Sequence, residues 1–192
     1  MAYDLLIKNG RIIDGSGRPA FSGDVGVAGG KIVELGRLDG PARRVIEADG
    51  RVVSPGFVDN HCHYDAQVLW DPLCTFSSHH GATTVIIGNC SLALAPVRSH
   101  ERTKLAGMLS SVEAIPMDVL EAGVPWTWET FPEYMRVIGQ KLGVNVGTLV
   151  GHSAVRLYAM GQEACERAAT DAELATMRSL VREALEAGAL GL

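Results

Sequence analysis

The sequence is poor in cysteine: Cys62, Cys74, Cys90 and Cys165 are the four in 192 residues. That is too sparse for a disulfide framework in a chain without an export signal. Long apolar runs are missing as well. No segment approaches the ~20 residues needed to span a bilayer, and the opening "MAYDLLIKNGRIIDGSG" has its short apolar run broken by Lys8, Asn9 and Arg11, unlike the core of a secretory signal. Dense basic runs are absent too: 17 Lys and Arg face 22 Asp and Glu, for a formal charge of −5, which argues against a phosphate backbone as partner. There are no internal repeats and no low-complexity segments. The expectation is a cytoplasmic protein with reduced thiols, no membrane segment and no nucleic-acid partner.

What is there describes a folded chain. Apolar residues make up 47% and charged residues 20%, the profile of an ordinary globular protein with material for one good core, or one core and a small satellite.

The texture changes near residue 55. Residues 1–54 hold short β-type runs, "DLLIKNGRIID", "GDVGVAGGKIVELG" and "RRVIEADGRVV", punctuated by glycine pairs and Asp-Gly turns at hairpin spacing. They predict a small, mostly antiparallel β-unit. Over residues 55–192, strand-like runs alternate with stretches of helix length: "GFVDNH", then "TTVIIGNC", then "VNVGTLVGHS". That alternation predicts βα units and a parallel sheet. Helices are expected over about 171–187, where Thr170 and Glu173 form a capping box, and over "PEYMRVIGQKLG". The last residues, "GALGL", read as the opening of a fourth strand. A closed (β/α)8 barrel needs ~250 residues, so the sheet is either small and open or part of something larger.

The segment "GFVDNHCHYD" carries the chemistry. In an extended chain residues i and i+2 face one side, so His61 and His63 pair while Cys62 points away. "GFV" places that pair at the carboxyl end of a strand, where parallel α/β folds gather their sites. The next strand ends "VIIGNC", bringing Cys90 to the same edge. Imidazole and thiolate are both zinc ligands, so His61, His63 and Cys90 can converge on a metal. A lone His-x-His is a weak signal, and Cys90 alone reads more often as a small buried hydrophobe.

Other polar residues carry less. His152 and Ser153 of "GHSAVR" are read as the end of the third strand, facing the same rim, with a substrate or supporting role set against plain structural hydrogen bonding. Asp59 and Asp65 flank the histidines as candidates to orient them, with loop solvation or capping an equal alternative. Arg156 reads as a surface or helix-start residue, with a substrate carboxylate as the alternative. His79 and His80 fall on a connecting segment, Trp126 and Trp128 read as packing groups, and "RSHERTK" reads as a solvated face.

"VVSPGFVDNHCHYDAQ" followed by "HHGATTVIIGNCSLALAPV" resembles the amidohydrolase superfamily, and within it the D-aminoacylase (N-acyl-D-amino-acid deacylase) branch. "YDLLIKNGRIIDGSG", "VGTLVGHSAVR" and "EALEAGALGL" fit that branch too. The resemblance implies a small β-sandwich joined to a (β/α)8 TIM-like barrel, with zinc, one or two ions, at its carboxyl face. His61 and His63 match the first-strand metal pair, and Cys90 matches a cysteine that ligates zinc where many relatives use a carboxylated lysine. Cys62 stands where Thr is common and Ser91 where Gly is usual. Two further metal histidines and the catalytic aspartate would come from later strands, beyond Leu192. The expected activity is zinc-assisted hydrolysis of a small-molecule amide, with a complementary polypeptide or further chain completing the barrel. A scaffold that keeps the metal site without catalysis is the competing expectation, and a cyclic-amidase type with a lysine bridge is disfavoured by Cys90.

Overall fold

The computed structural model describes residues 2–192, and the chain divides into two compact units, one up to Gly56 and one from Phe57 to Leu192.

In the first unit β1 (Leu5–Ile12), β2 (Phe21–Ala28) and β3 (Lys31–Gly36) form an antiparallel meander. The β2–β3 turn is the glycine pair Gly29-Gly30, at φ 58° and 72°, which supplies the two positive φ angles of a tight hairpin without a Cβ penalty. The run "RRVIEADGRVV" behaves differently from the antiparallel expectation. Its β4 (Val45–Glu47) and β5 (Val52–Val53) both lie parallel to β1, giving the order β3-β2-β1-β4 with β5 also on β1. Residues 37–44 carry the chain back to the far edge of β1, so it arrives running in the same direction. Asn9, at φ 57°, sits in the register shift of β1, and its amide with that of Leu38 donates to the buried carboxylate of Asp24 at 2.7 and 2.9 Å. Burial opposes that charge, but the two amides together with the charges of Lys8 and Arg37 outweigh it and hold the Asp24 pKa below the usual value. Among the described residues this unit is one sheet layer.

The second unit is α/β. Strands β6 (Phe57–Asp59), β7 (Ala82–Ile87) and β8 (Asn145–Thr148) are parallel in the order β6-β7-β8. The β6–β7 crossover contains a short helix α1 (Thr75–His79), so His79 ends a helix where a plain connection was expected. Asp71 braces the first residue of that helix, its carboxylate accepting the Thr75 amide and hydroxyl, each at 2.8 Å. The β7–β8 crossover holds α2 (Arg102–Glu113), α3 (Met117–Gly123) and α4 (Phe131–Ile138), and β8 leads into α5 (His152–Met160) and α6 (Asp171–Glu186). Capping boxes start α4 at Thr130–Glu133 and α6 at Thr170–Glu173. Beyond α6 the chain returns to the sheet, where Gly191 bridges Leu149 in parallel and the Leu190 amide donates to the Thr148 carbonyl at 2.8 Å.

The core of this unit is built around aromatic residues. Trp128, Phe131 and Tyr134 are at most 2% exposed, and each polar tip finds a carbonyl: Trp128 Nε1 donates to Leu94 at 2.7 Å and the Tyr134 hydroxyl to Asp65 at 2.9 Å. Trp128 is thus a packing group, as its place beside a helix start suggests. The "RSHERTK" stretch departs from a solvated face. Glu101 is 2% exposed and accepts from the Gln162 amide at 3.3 Å, because the 3-10 turn before α2 folds it inward. No helix among the described residues is long and apolar enough to cross a membrane.

Candidate metal centre

The site begins where β6 stops. The ladder ends at Asp59, yet the backbone stays tied to β7, the Cys62 amide donating to the Ile86 carbonyl at 3.0 Å, while the His61 amide turns back to Asp59 Oδ1 at 3.3 Å. Alternation therefore persists past the strand. His61 is exposed, Cys62 is buried and His63 is partly buried, and the two imidazole rings meet edge to face with centroids 5.3 Å apart. Burial, with help from Asp59, pushes the Cys62 thiol up to about 12. A thiol so reluctant to ionise is a poor metal ligand.

Beyond β7 the chain makes a left-handed turn. Gly88, Cys90 and Ser91 have φ of 84°, 54° and 68°. A Cβ on Gly88 would collide with the Leu149 carbonyl, so only glycine lets this turn lie against the β8 exit. For Cys90, which is not glycine, the conformation costs about 1–2 kcal/mol, and strain of this kind gathers at functional positions. Asn89 braces the turn, its side-chain amide donating to Ile86 at 2.8 Å and Cys62 at 3.3 Å. The result is that Cys90 Sγ lies 3.2 Å from His61 Nε2.

One donor atom each from His61, His63 and Cys90 lies within 4.8 Å of the others. Donors sharing a tetrahedral zinc, at Zn–N of about 2.0–2.1 Å and Zn–S of about 2.3 Å, stand roughly 3.3–3.6 Å apart. Small side-chain rotations close that difference. Two imidazoles and a thiolate suit zinc among the common divalent ions, so the residues present fit such an ion.

Acids surround this cluster. Glu113, at the end of α2, places Oε1 3.4 Å from His63 Nδ1, a buried nitrogen with no well-aligned hydrogen bond. Asp65 is completely buried, and neither carboxylate oxygen has a well-aligned partner. Burial raises its carboxyl to about 7, with the Gly88 amide pulling the other way and the Glu113 charge adding to the rise. Glu113 was not legible as a site residue: it lies fifty positions from His63, and its one local oddity is an acid at a helix C-terminus.

The remaining candidates are placed as follows. His152 and Ser153 do not end a strand: β8 stops at Thr148, and the two residues open α5. The Ser153 amide donates to Ser91 Oγ at 2.9 Å, so the serine after Cys90 serves the first turn of α5. The His152 side chain lines a groove with Val155 and the α6 residues Leu174, Met177 and Val181. Arg156 is engaged with backbone carbonyls, those of Ala164 at 2.8 Å and Arg167 at 3.0 Å.

Residues 44–192 match the amidohydrolase family. The chain belongs to that family. Its relatives point to the D-aminoacylase branch. The N-acyl-D-aspartate deacylase of Alcaligenes xylosoxydans xylosoxydans is 39% identical over 191 residues, covering 98% of this chain and 36% of its own length. The crystal structure of N-acyl-D-glutamate deacylase from Bordetella bronchiseptica, complexed with zinc and a phosphonate mimic of the tetrahedral intermediate, aligns with a TM-score of 0.84 and 35% identity over 100% of this chain and 38% of that one. A D-aminoacylase studied for its binuclear metal centre aligns with a TM-score of 0.82 and 34% identity, over 98% and 38%. The chain of this amidohydrolase thus spans little more than a third of these relatives.

Proposed function

We propose that this chain supplies the first zinc ligands of an N-acyl-D-amino-acid deacylase-like amidohydrolase, which cleaves the amide C–N bond of a small N-acylated substrate. The observation that carries the reading is the convergence of His61, His63 and Cys90 at the carboxyl ends of two adjacent parallel strands, through a strained turn at Cys90. Strain that raises a thiol toward two imidazoles supports metal holding, and hydrolysis is what separates an enzyme from a metal-holding scaffold.

In this reading His61, His63 and Cys90 hold the first of one or two zinc ions. Zinc bound there supplies Lewis acidity, polarising the scissile carbonyl and bringing the ionisation of water from 15.7 toward about 7. The chain's own residues do the holding. Cys90 enters as thiolate and the histidines as neutral imidazoles, while Asn89, Gly88 and the Cys62 backbone keep the two loops in register. Hydrolysis also needs a carboxylate that takes the water proton and passes it to the departing amine. That carboxylate, with two more histidines, is proposed to come from polypeptide that completes a (β/α)8 barrel, and the leading sheet is proposed to be half of a β-sandwich. The apolar groove of about 540 Å³ between α5 and α6, together with exposed Leu190 and Leu192 at 63% and 62%, suits coverage by a further βα element.

The test is zinc content and hydrolysis of N-acetyl-D-amino acids by the full native protein and by His61→Ala, His63→Ala and Cys90→Ala. Near-stoichiometric zinc and activity, both lost in the variants, is the expected result. Zinc without hydrolysis of any N-acyl-D-amino acid would make the chain a metal-holding scaffold, and zinc retained in all three variants would end the reading.

A further inference from the structure

We infer that Glu113 is a positioning residue for the metal centre: its carboxylate accepts the Nδ1 proton of His63 and so reserves Nε2 for the metal. The inference rests on the metal-centre reading above.

A neutral imidazole carries one proton on two nitrogens, and the nitrogen that binds a metal must present its lone pair. The proton then sits on the other nitrogen, and in His63 the nitrogen that faces an acid is the buried Nδ1. Glu113 Oε1, at 3.4 Å, is the acid within ion-pair distance of it among the described residues. Both side chains are about one-fifth exposed, His63 at 21% and Glu113 at 20%, so water competes weakly for the contact. A small rotation of either side chain shortens the contact to an ordinary N–H···O hydrogen bond.

The place of Glu113 in the fold is the second strand of the argument. It is the last residue of α2, followed by Ala114 at φ 54° and ψ 28°, which turns the chain out of the helix. The negative end of a helix dipole disfavours an acid there. Local helix preference therefore does not account for Glu113. Nor does another partner: among the described residues Glu113 makes no other ion pair and no side-chain hydrogen bond. Asp59 and Asp65, the other acids near the cluster, are not within ion-pair distance of His63 among the described residues. A carboxylate behind a ligating imidazole fixes the ring's tautomer and raises its basicity, and its loss typically costs about 10–100-fold in metal affinity.

The experiment reads the tautomer and the affinity separately, in the full native protein. Two-bond proton–nitrogen correlation spectra of the metal-free, 15N-labelled protein report which nitrogen of His63 carries the proton. Zinc affinity follows from competition with a chromophoric chelator. Wild type is expected to show the proton on Nδ1. Glu113→Ala is expected to mix the tautomers and weaken zinc roughly 10–100-fold, and Glu113→Gln, which keeps an acceptor oxygen and loses the charge, to keep the tautomer with a smaller loss. Should Glu113→Ala fail to fold, the isosteric Gln variant decides alone, and unchanged zinc affinity in it overturns the inference. His63→Ala separates the two readings. If it, like His61→Ala and Cys90→Ala, retains zinc with unchanged affinity, the metal-centre reading itself fails; if it loses zinc affinity while the Glu113 variants keep both affinity and tautomer, only the role of Glu113 is wrong.

Discussion

His61 Nε2 and Cys90 Sγ stand 3.2 Å apart although 29 residues separate them in the chain. Between the same two loops Cys62 contributes only its backbone, accepting from the Asn89 amide at 3.3 Å and donating to Ile86 at 3.0 Å. The proposed function gives the two cysteines opposite roles, Cys90 as ligand and Cys62 as packing. Cys90→Ala is expected to lose most bound zinc, and Cys62→Ala to keep it, with a modest loss of stability from the cavity it opens. Elemental analysis after gel filtration measures both. Equal zinc loss in the two variants would mean that strand alternation misassigns the ligands.

The same opposition extends to thiol reactivity. Burial raises Cys62 to about 12 and Cys74 to about 11, whereas Cys90 and Cys165 are exposed. Nucleophilicity belongs to the thiolate. At neutral pH iodoacetamide should therefore label Cys90 and Cys165 and leave Cys62 and Cys74 untouched, and added zinc should protect Cys90 alone. Peptide mass mapping reads each position, and labelling of Cys165 suppressed equally with Cys90 would argue for a general rather than a site effect of zinc.

What could be read from the sequence was local. The Gly29-Gly30 hairpin, the Thr170–Glu173 capping box and the His61–His63 alternation each depend on residues within four positions of one another. What escaped was non-local. β4 and β5 join β1 in parallel because a loop carries them around it, which no periodicity records. Glu101 is buried because Gln162, 61 residues on, supplies its partner. His152 and Ser153 were misplaced by a few residues, since "LVGHS" extends a β-branched run smoothly while the helix start depends on Ser91 Oγ reaching across from the neighbouring loop. Glu113 meets His63 only through the packing of α2.

The α6 start carries a pH dependence of known sign. Glu173 accepts from Arg167 and from the Thr170 amide, and these interactions, Arg167 foremost, hold its pKa near 2 against the usual 4.5. A depressed acid stabilises the fold above its unfolded pKa and loses that contribution as pH falls toward the folded one. Glu173→Gln should therefore be less stable than wild type at pH 7, and the difference in thermal midpoint should shrink between about pH 4.5 and 2. Because the pair is exposed, 0.5 M salt should shrink it as well. A difference that stays constant with pH would assign the effect to the capping geometry instead of the charge.

Gly88 and Gly188 separate strain from collision. Both have positive φ, 84° and 105°, but a Cβ at Gly188 meets nothing within 4 Å while one at Gly88 runs into the Leu149 carbonyl. Gly188→Ala should cost about 1–2 kcal/mol, the penalty for an L-residue at positive φ. Gly88→Ala adds the collision, and relief requires the turn to move away from β8. That turn carries Cys90 two residues later, so the variant is expected to lose zinc affinity by tenfold or more as well as stability, whereas Gly188→Ala should bind zinc like wild type. Urea midpoints give the stabilities and chelator competition the affinities. Equal destabilisation with wild-type zinc binding in both would show that the tight approach of Gly88 to Leu149 does not hold the metal-facing position of Cys90.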